Sequence, residues 1–159
     1  MSGASEKRLK RYLVFFMILL SLNISAAPVI ETVTDLRVLK QQSEQAKLPI
    51  LLLFSSEDCE FCEAIRENYL IPMQQSNNYS SRVLFRQVYI DSFSHIRDRK
   101  GKLVGGDKLA LKYDVEVTPT ILFINAEGKE LAERIVGLSG ADYFDYMLDS
   151  KISRLSVPQ

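Results

Sequence analysis

Two cysteines that stand two residues apart are the part of the sequence with the clearest chemistry. They form the motif Cys59-Glu60-Phe61-Cys62 and are the only cysteines in a chain of 159 residues. This spacing lets two sulfur atoms meet within one helical turn, so a disulfide between them can open and close with little backbone movement. Since the thiolate is the reactive form of cysteine, the pair predicts redox chemistry at sulfur.

Two other uses of the cysteine pair stand as alternatives. A structural disulfide across so short a loop would contribute little stability, because the entropy lost by loop closure grows with loop length. A zinc site needs two further ligands, and the only histidine, His95, is distant in the sequence. We therefore expect no metal and no cofactor.

The residues on either side predict where the motif lies in the fold. Ile50–Phe54 is a continuous apolar run, typical of a strand buried on both faces. Residues 60–69 are predicted to form a helix that Pro72 closes. The first cysteine then stands at a helix N-terminus, where unpaired N–H groups and a partial positive charge favour the thiolate. Cys59 is therefore the candidate nucleophile, and Cys62, one turn inside the helix, is the candidate resolving thiol.

The remaining patterns predict an alternating chain that ends in a hairpin and a helix. The predicted elements are a helix starting at Thr34 or Asp35 and ending before Pro49, a strand at Val83–Ile90, a loop at 92–106, a helix at Asp107–Tyr113, strands at Thr120–Ile124 and Leu131–Val136, and an amphipathic helix at 144–155. Alternation implies parallel strands, and the hairpin adds antiparallel edge strands. The predicted class is α/β, a mixed central sheet flanked by helices with the active site at the strand–CxxC–helix junction.

The composition excludes several classes of protein. Apolar residues make up 47% of the chain and charged residues 25%, which predicts a packed core and excludes collagen-like, disordered and coiled-coil proteins. The 20 basic and 20 acidic residues cancel, so the chain as a whole has no electrostatic attraction to nucleic acid.

The first 27 residues differ in character from the rest of the chain. A basic stretch at residues 7–11, an apolar run at residues 12–22 and the small residues Ser25-Ala26-Ala27 follow one another in the order of a secretory signal peptide. The apolar run is shorter than the about 20 residues that span a bilayer; an uncleaved anchor is the alternative. The sequence thus predicts a signal peptide at 1–27 and one domain at 28–159, exported to the periplasm or another extracytoplasmic compartment, with no membrane span in the mature chain.

Two segments resemble the thioredoxin-fold family, and the resemblance covers nearly all of residues 34–155. The segments are Phe54–Cys62, which contains the cysteines, and Lys112–Phe123, which is followed by Gly128 and Gly137. The resemblance implies that Pro119 follows a cis peptide bond and that Thr118 pairs with a bound substrate chain. The long stretch at 91–119 and the signal sequence make the chain more similar to exported relatives of the SoxW-like and DsbD C-terminal-domain kind.

The chain also departs from ordinary thioredoxins in and around the motif. Glu60-Phe61 replaces Gly-Pro between the cysteines, Asp58 replaces a tryptophan, and Leu53 stands where the family has a buried aspartate. Because that aspartate is thought to relay the proton of the resolving thiol, Glu57 becomes a candidate proton relay. An exposed Glu57 without such a role is the alternative.

The charges beside Cys59 bear on the direction of the reaction. Asp58, Glu60 and Glu63 lie within a helical turn of it, and negative charge disfavours the thiolate. Strong oxidants of this fold owe their potential to a heavily stabilised thiolate. The sequence therefore predicts a reductant or an exchanger of intermediate potential.

The leading hypothesis is an extracytoplasmic thiol–disulfide oxidoreductase that acts on disulfide- or thiol-containing proteins. A separate redox partner protein would recycle the dithiol, since the chain holds no second redox centre. The alternatives are an oxidant or isomerase of the same fold, a non-catalytic binding module or chaperone, and a copper-handling protein, because paired thiolates suit Cu(I).

Overall fold

A computed structural model describes residues 27–91, 93, 95–138, 140 and 143–155. The predicted signal peptide, apart from its last residue, lies outside the described residues. Within the described ranges, no helix is long and apolar enough to cross a membrane.

In the described part of the chain there are seven strands and a set of mostly short helices. In chain order they are β1 (Glu31–Thr32), α1 (Leu36–Ala46), β2 (Ile50–Ser55), α2 (Glu60–Ile65), a π-helical turn (Arg66–Leu70), α3 (Ile71–Gln75), α4 (Asn77–Ser80), β3 (Leu84–Tyr89), β4 (His95–Arg97), β5 (Leu103–Gly105), α5 (Gly106–Lys112), β6 (Thr120–Ile124), β7 (Glu130–Val136) and α6 (Phe144–Ser153).

Five strands make the central sheet, in the order β1-β3-β2-β6-β7. The first three strands of the chain run parallel, β6 runs antiparallel to β2, and β7 runs antiparallel to β6. This mixed sheet with flanking helices confirms the predicted fold class. The prediction that the hairpin supplies only edge strands was wrong for β6. All five of its residues are buried, and a strand of that kind needs cover on both faces and neighbours on both sides.

Alternate residues of β2 divide the core into two layers. Leu51 and Leu53 face one apolar cluster, which includes Ile65 of α2 and Phe144 of α6. The intervening residues of β2 face a second cluster, to which α1, α5, β3, β6 and Ile96 of β4 contribute. Because side chains alternate across a strand, one apolar run serves both layers and fixes β2 at the centre of the sheet.

Asp35, one of the two predicted caps, is the N-cap of helix α1. The Asp35 carboxylate accepts the backbone N–H of Arg37 at 2.8 Å and its guanidinium at 2.6 Å. The hydrogen bond with the Arg37 side chain is the main cause that lowers the pKa of Asp35 to about 2. The cap therefore stays ionised in mild acid.

Pro72 does not close the helix that follows the cysteines, so that prediction was wrong. The N–H of Ile71 donates to the carbonyl of Arg66, five residues back, and this bond widens the helix into a π turn. Helix α3 then begins at Ile71 with Pro72 in its first turn. A proline is tolerated there, because the N–H that it lacks would have no acceptor within the helix.

The predicted loop at 92–106 contains two short strands, so the prediction was wrong for β4 and β5. They pair antiparallel in a small sheet of their own. The carboxylate of Asp98 accepts the N–H groups of Lys100 and Lys102 at 2.9 and 2.8 Å and closes the turn between the strands. Gly101 has a φ of 85° there, a conformation that glycine adopts without a steric penalty.

Candidate functional site

The end of β2 and the start of α2 place Cys59 at the N-cap of a helix. Strand β2 is buried along its whole length and ends at Ser55, and α2 begins at Glu60. The N–H of Cys62 donates to the sulfur of Cys59 at 3.1 Å. An N–H that points at sulfur, together with the positive end of the helix, favours negative charge on that atom when the disulfide is reduced.

The two cysteines are joined in a disulfide and differ in exposure. Their sulfur atoms are bonded, and their Cα atoms lie 5.2 Å apart. Cys62 has no exposed surface, whereas Cys59 is partly exposed. An incoming thiol or disulfide can therefore approach Cys59 and not Cys62.

Thr118 and Pro119 lie beside Cys59 although they are distant in the sequence. The peptide bond between them is cis. The hydroxyl of Thr118 lies 3.9 Å from the sulfur of Cys59 and 2.9 Å from the hydroxyl of Ser56. The fold thus brings the cysteine motif and the second family-like segment together at one end of the sheet. Ser56 is thus a member of the site that the sequence did not single out.

Glu57 lies on the turn that leads into the motif and is exposed. Its backbone N–H donates to both carboxylate oxygens of Asp91, at 3.1 and 3.0 Å. Asp91 comes just after β3 and holds this turn in place. Nothing in the sequence indicated the contact, because the two residues are 34 positions apart.

The surface around the disulfide is acidic and partly apolar. Asp58, Glu60 and Glu63 are all exposed, so their charges are screened by solvent and salt. Phe61 and Val117 are apolar and more than half exposed, at 62% and 53%. Phe61 lies between the cysteines, and Val117 directly precedes Thr118.

The layer beneath the cysteines is apolar at the position where ordinary thioredoxins have a carboxylate. Leu53 is fully buried there and lies beside Gln87 in the register of β2 and β3. Gln87 is buried and donates to the carbonyl of Ile30 at 2.9 Å. Its side-chain oxygen lies 3.4 Å from a guanidinium nitrogen of Arg66.

Arg66 is a further residue that the sequence reasoning missed. Its side chain is only 18% exposed, and its guanidinium also donates to the hydroxyl of Tyr89 at 3.3 Å. The signal that could have found it is helical spacing, since Arg66 stands four residues after Cys62 on the same face of the helix. In the described part of the chain, no three His, Cys, Asp or Glu side chains are grouped so as to hold a metal ion.

A family model described as a thioredoxin-like domain matches residues 36–152. The chain belongs to this family. No protein with a curated description matches it. The matched segment includes both cysteines, the Thr118–Pro119 bond and every strand of the central sheet except β1.

Solved structures share the fold at low sequence identity. A mutant of poplar thioredoxin h has a TM-score of 0.58 at 18% identity, over 80% of this chain and 83% of that chain. Thioredoxin from Fasciola hepatica has a TM-score of 0.55 at 20% identity, over 80% of this chain and all of that chain. Oxidised thioredoxin O2 from Arabidopsis thaliana has a TM-score of 0.54 at 20% identity, over 80% of this chain and 95% of that chain. Together, the thioredoxin-like fold and a disulfide in the CxxC position indicate a thiol–disulfide oxidoreductase.

Proposed function

We propose that this protein is an extracytoplasmic thiol–disulfide oxidoreductase that reduces or exchanges disulfides in other proteins. One observation carries the proposal: the disulfide lies at a helix N-terminus with Cys59 partly exposed and Cys62 fully buried. A disulfide with a purely structural role needs neither a partly exposed cysteine nor an N–H that donates to its sulfur at 3.1 Å.

In the reducing direction the cycle has two exchange steps. The thiolate of Cys59 attacks a substrate disulfide, bonds to one sulfur and releases the other as a thiolate, which takes a proton from water. The thiol of Cys62 then loses its proton and attacks the sulfur of Cys59, which releases the second substrate sulfur. Two electrons pass from the dithiol to the substrate. A separate redox partner protein returns the resulting disulfide to the dithiol.

Thr118 and Pro119 form the proposed contact with the substrate chain. Thr118 is within 3.9 Å of the reactive sulfur, and the exposed side chains of Phe61 and Val117 border the same place. An extended substrate segment that reaches Cys59 would therefore lie against this loop and cover apolar surface, which favours binding.

Single-turnover reduction of a disulfide-containing protein tests the proposed activity. The reduced parent protein, freed of small thiols, is expected to transfer two electrons per molecule and to form the Cys59–Cys62 disulfide, because exchange conserves electrons. New substrate thiols and the mass of the protein are measured together. The Cys59→Ser/Cys62→Ser double variant is the matched control. A parent protein that releases no more substrate thiol than this control would contradict the proposal.

Export is tested by the mass of the full chain after expression in a cell with a secretion pathway. We expect protein in the extracytoplasmic fraction to begin at Ala27 or Pro28, because the basic, apolar and small-residue regions precede that point. Uncleaved protein that pellets with membranes would show an anchor instead, and cytoplasmic full-length protein would contradict export.

A further inference from the structure

Cys62 poses an electrostatic problem in the resolving step of the proposed exchange. It must ionise before it attacks the sulfur of Cys59, since only the thiolate is nucleophilic. It has no exposed surface, and burial away from water disfavours a charged sulfur. The buried neighbour Leu53 can neither take up a proton nor offset the charge.

The fold places the largely buried guanidinium of Arg66 one helical turn after this thiol. The N–H of Arg66 donates to the carbonyl of Cys62, so the two residues are one helical turn apart and their Cβ atoms lie about 6 Å from each other. Side chains of a helix lean toward its N-terminus. This geometry favours an Arg66 side chain that extends toward Cys62.

Strand β3 holds that guanidinium against the sheet. One of its nitrogens lies 3.4 Å from the side-chain oxygen of Gln87 and 3.3 Å from the hydroxyl of Tyr89. In the sheet register, Gln87 lies beside Leu53 and Tyr89 beside Ser55, the last residues of the strand that leads to the motif. Both anchors thus keep the positive charge beneath the cysteine end of the sheet.

We propose that Arg66 stabilises the thiolate of Cys62 and so allows the buried thiol to resolve the mixed disulfide. The inference rests on the proposed exchange function. In this step the Cys62 proton passes to water, a bond forms between the sulfurs of Cys62 and Cys59, and the bond from Cys59 to the substrate breaks. Arg66 gives up no proton. It supplies positive charge in place of the carboxylate that ordinary thioredoxins have at Leu53.

The other charged groups near the motif are negative and therefore disfavour a thiolate at Cys62. They are Glu57, Asp58, Glu60 and Glu63 around the start of α2, Asp91 after β3, and Glu116 before the Thr118–Pro119 loop; the hydroxyl of Tyr89 is the titratable group on β3. All six carboxylates lie on exposed residues, so solvent weakens their effect. Glu67 lies 3.7 Å from Arg66, but its side chain is 56% exposed. An exposed ion pair of this kind is weak and leaves most of the guanidinium charge available.

Titration of the Cys62 thiol by its ultraviolet thiolate absorbance tests the inference without any substrate. A Cys59→Ser background leaves Cys62 as the only thiol, and the double cysteine variant corrects for tyrosine ionisation. Arg66→Gln is expected to lower the thiolate fraction at neutral pH about tenfold, because an opposite charge within about 4–6 Å of an ionisable group shifts its pKa by about one unit or more. Arg66→Lys should restore most of it. Arg82→Gln removes the same charge beside the start of β3, at the other end of the strand, and should change nothing.

The outcomes separate a charge effect from a structural one. Equal titration of Arg66→Gln and its background would overturn the inference, and so would failure of Arg66→Lys to restore the thiolate. Circular dichroism checks the fold of each variant. If Arg66→Gln does not fold, Tyr89→Phe is titrated in its place, because it keeps the guanidinium charge but removes one of its anchors. A loss of Cys62 thiolate smaller than the tenfold loss expected for Arg66→Gln supports the inference. An unchanged thiolate fraction overturns it. Failure of substrate reduction with an intact Arg66 effect would contradict only the proposed function.

Discussion

Replacing Cys62 by serine is expected to convert the protein into a trap for its substrates. In Cys62→Ser the first exchange still occurs at the partly exposed Cys59, but no second sulfur is present to release the mixed disulfide. The covalent complex should therefore accumulate, and substrate turnover should fall to the uncatalysed background. A non-reducing gel with mass spectrometry of the adduct measures both results.

The matched variant Cys59→Ser is expected to trap nothing. Its remaining sulfur belongs to Cys62, which has no exposed surface, so a protein disulfide cannot reach it. It also lies inside the helix and lacks the N-cap position that favours a thiolate at Cys59. Equal trapping by the two variants would remove the distinction between nucleophile and resolving thiol. Trapping by neither, with both thiols of the parent intact, would favour a binding module over an enzyme.

Replacing Gly106 by alanine is expected to destabilise the protein strongly. A Cβ at Gly106 would lie 1.9 Å from the carbonyl oxygen of Tyr89 and 3.0 Å from the Cα of Ile90. Both contacts are with backbone, so a side-chain rotation cannot relieve them. Helix propensity alone predicts the opposite effect, because alanine in place of glycine stabilises a helix by up to about 1 kcal/mol. The clash outweighs it, because overpacking costs about 1–3 kcal/mol and sometimes more. Since a Cβ at 1.9 Å from a backbone oxygen is far inside van der Waals contact, the cost lies at or above the upper end of this range, and we expect a net loss of about 2 kcal/mol or more.

The neighbouring glycine provides the control for that prediction. A Cβ at Gly105 would lie 2.5 Å from a carboxylate oxygen of Asp107, and that flexible side chain can move away. Gly105→Ala should therefore cost less than about 1 kcal/mol. Denaturant unfolding of the parent protein and both variants measures the change in the free energy of unfolding for each substitution. The clash at Tyr89 lies two residues before Asp91, whose carboxylate accepts the N–H of Glu57 on the turn that leads into the cysteine motif. Gly106→Ala should therefore also slow thiol–disulfide exchange. Equal free energies for the two variants would contradict the close packing of α5 on β3.

The sequence allowed prediction of features that depend on local patterns. The apolar run of β2 predicted a strand buried on both faces, and the Cys59-x-x-Cys62 spacing predicted a disulfide at a helix start. The spacing of Phe144, Leu148 and Ile152 predicted the last helix, and all three are buried. These signals arise within a few residues of each other, so no tertiary information is needed to interpret them.

Features that depend on distant partners could not be predicted. Strand β1 has only two residues and exists because it pairs with β3. The interior position of β6 depends on its pairing with β2. In the site, the contact of Asp91 with the backbone of Glu57 and the anchoring of Arg66 by Tyr89 join residues that only the folded sheet brings together.

The equilibrium of the Cys59–Cys62 pair with glutathione tests the central claim most directly. Purified protein is brought to equilibrium at a series of ratios of reduced to oxidised glutathione, and the thiols are alkylated and counted by mass. We predict one reversible two-electron transition, at a potential below the about −120 mV of the strong oxidant DsbA, because the charged residues beside Cys59 are carboxylates and do not stabilise its thiolate. A pair that stays oxidised below about −300 mV would behave as a structural disulfide and would contradict the account.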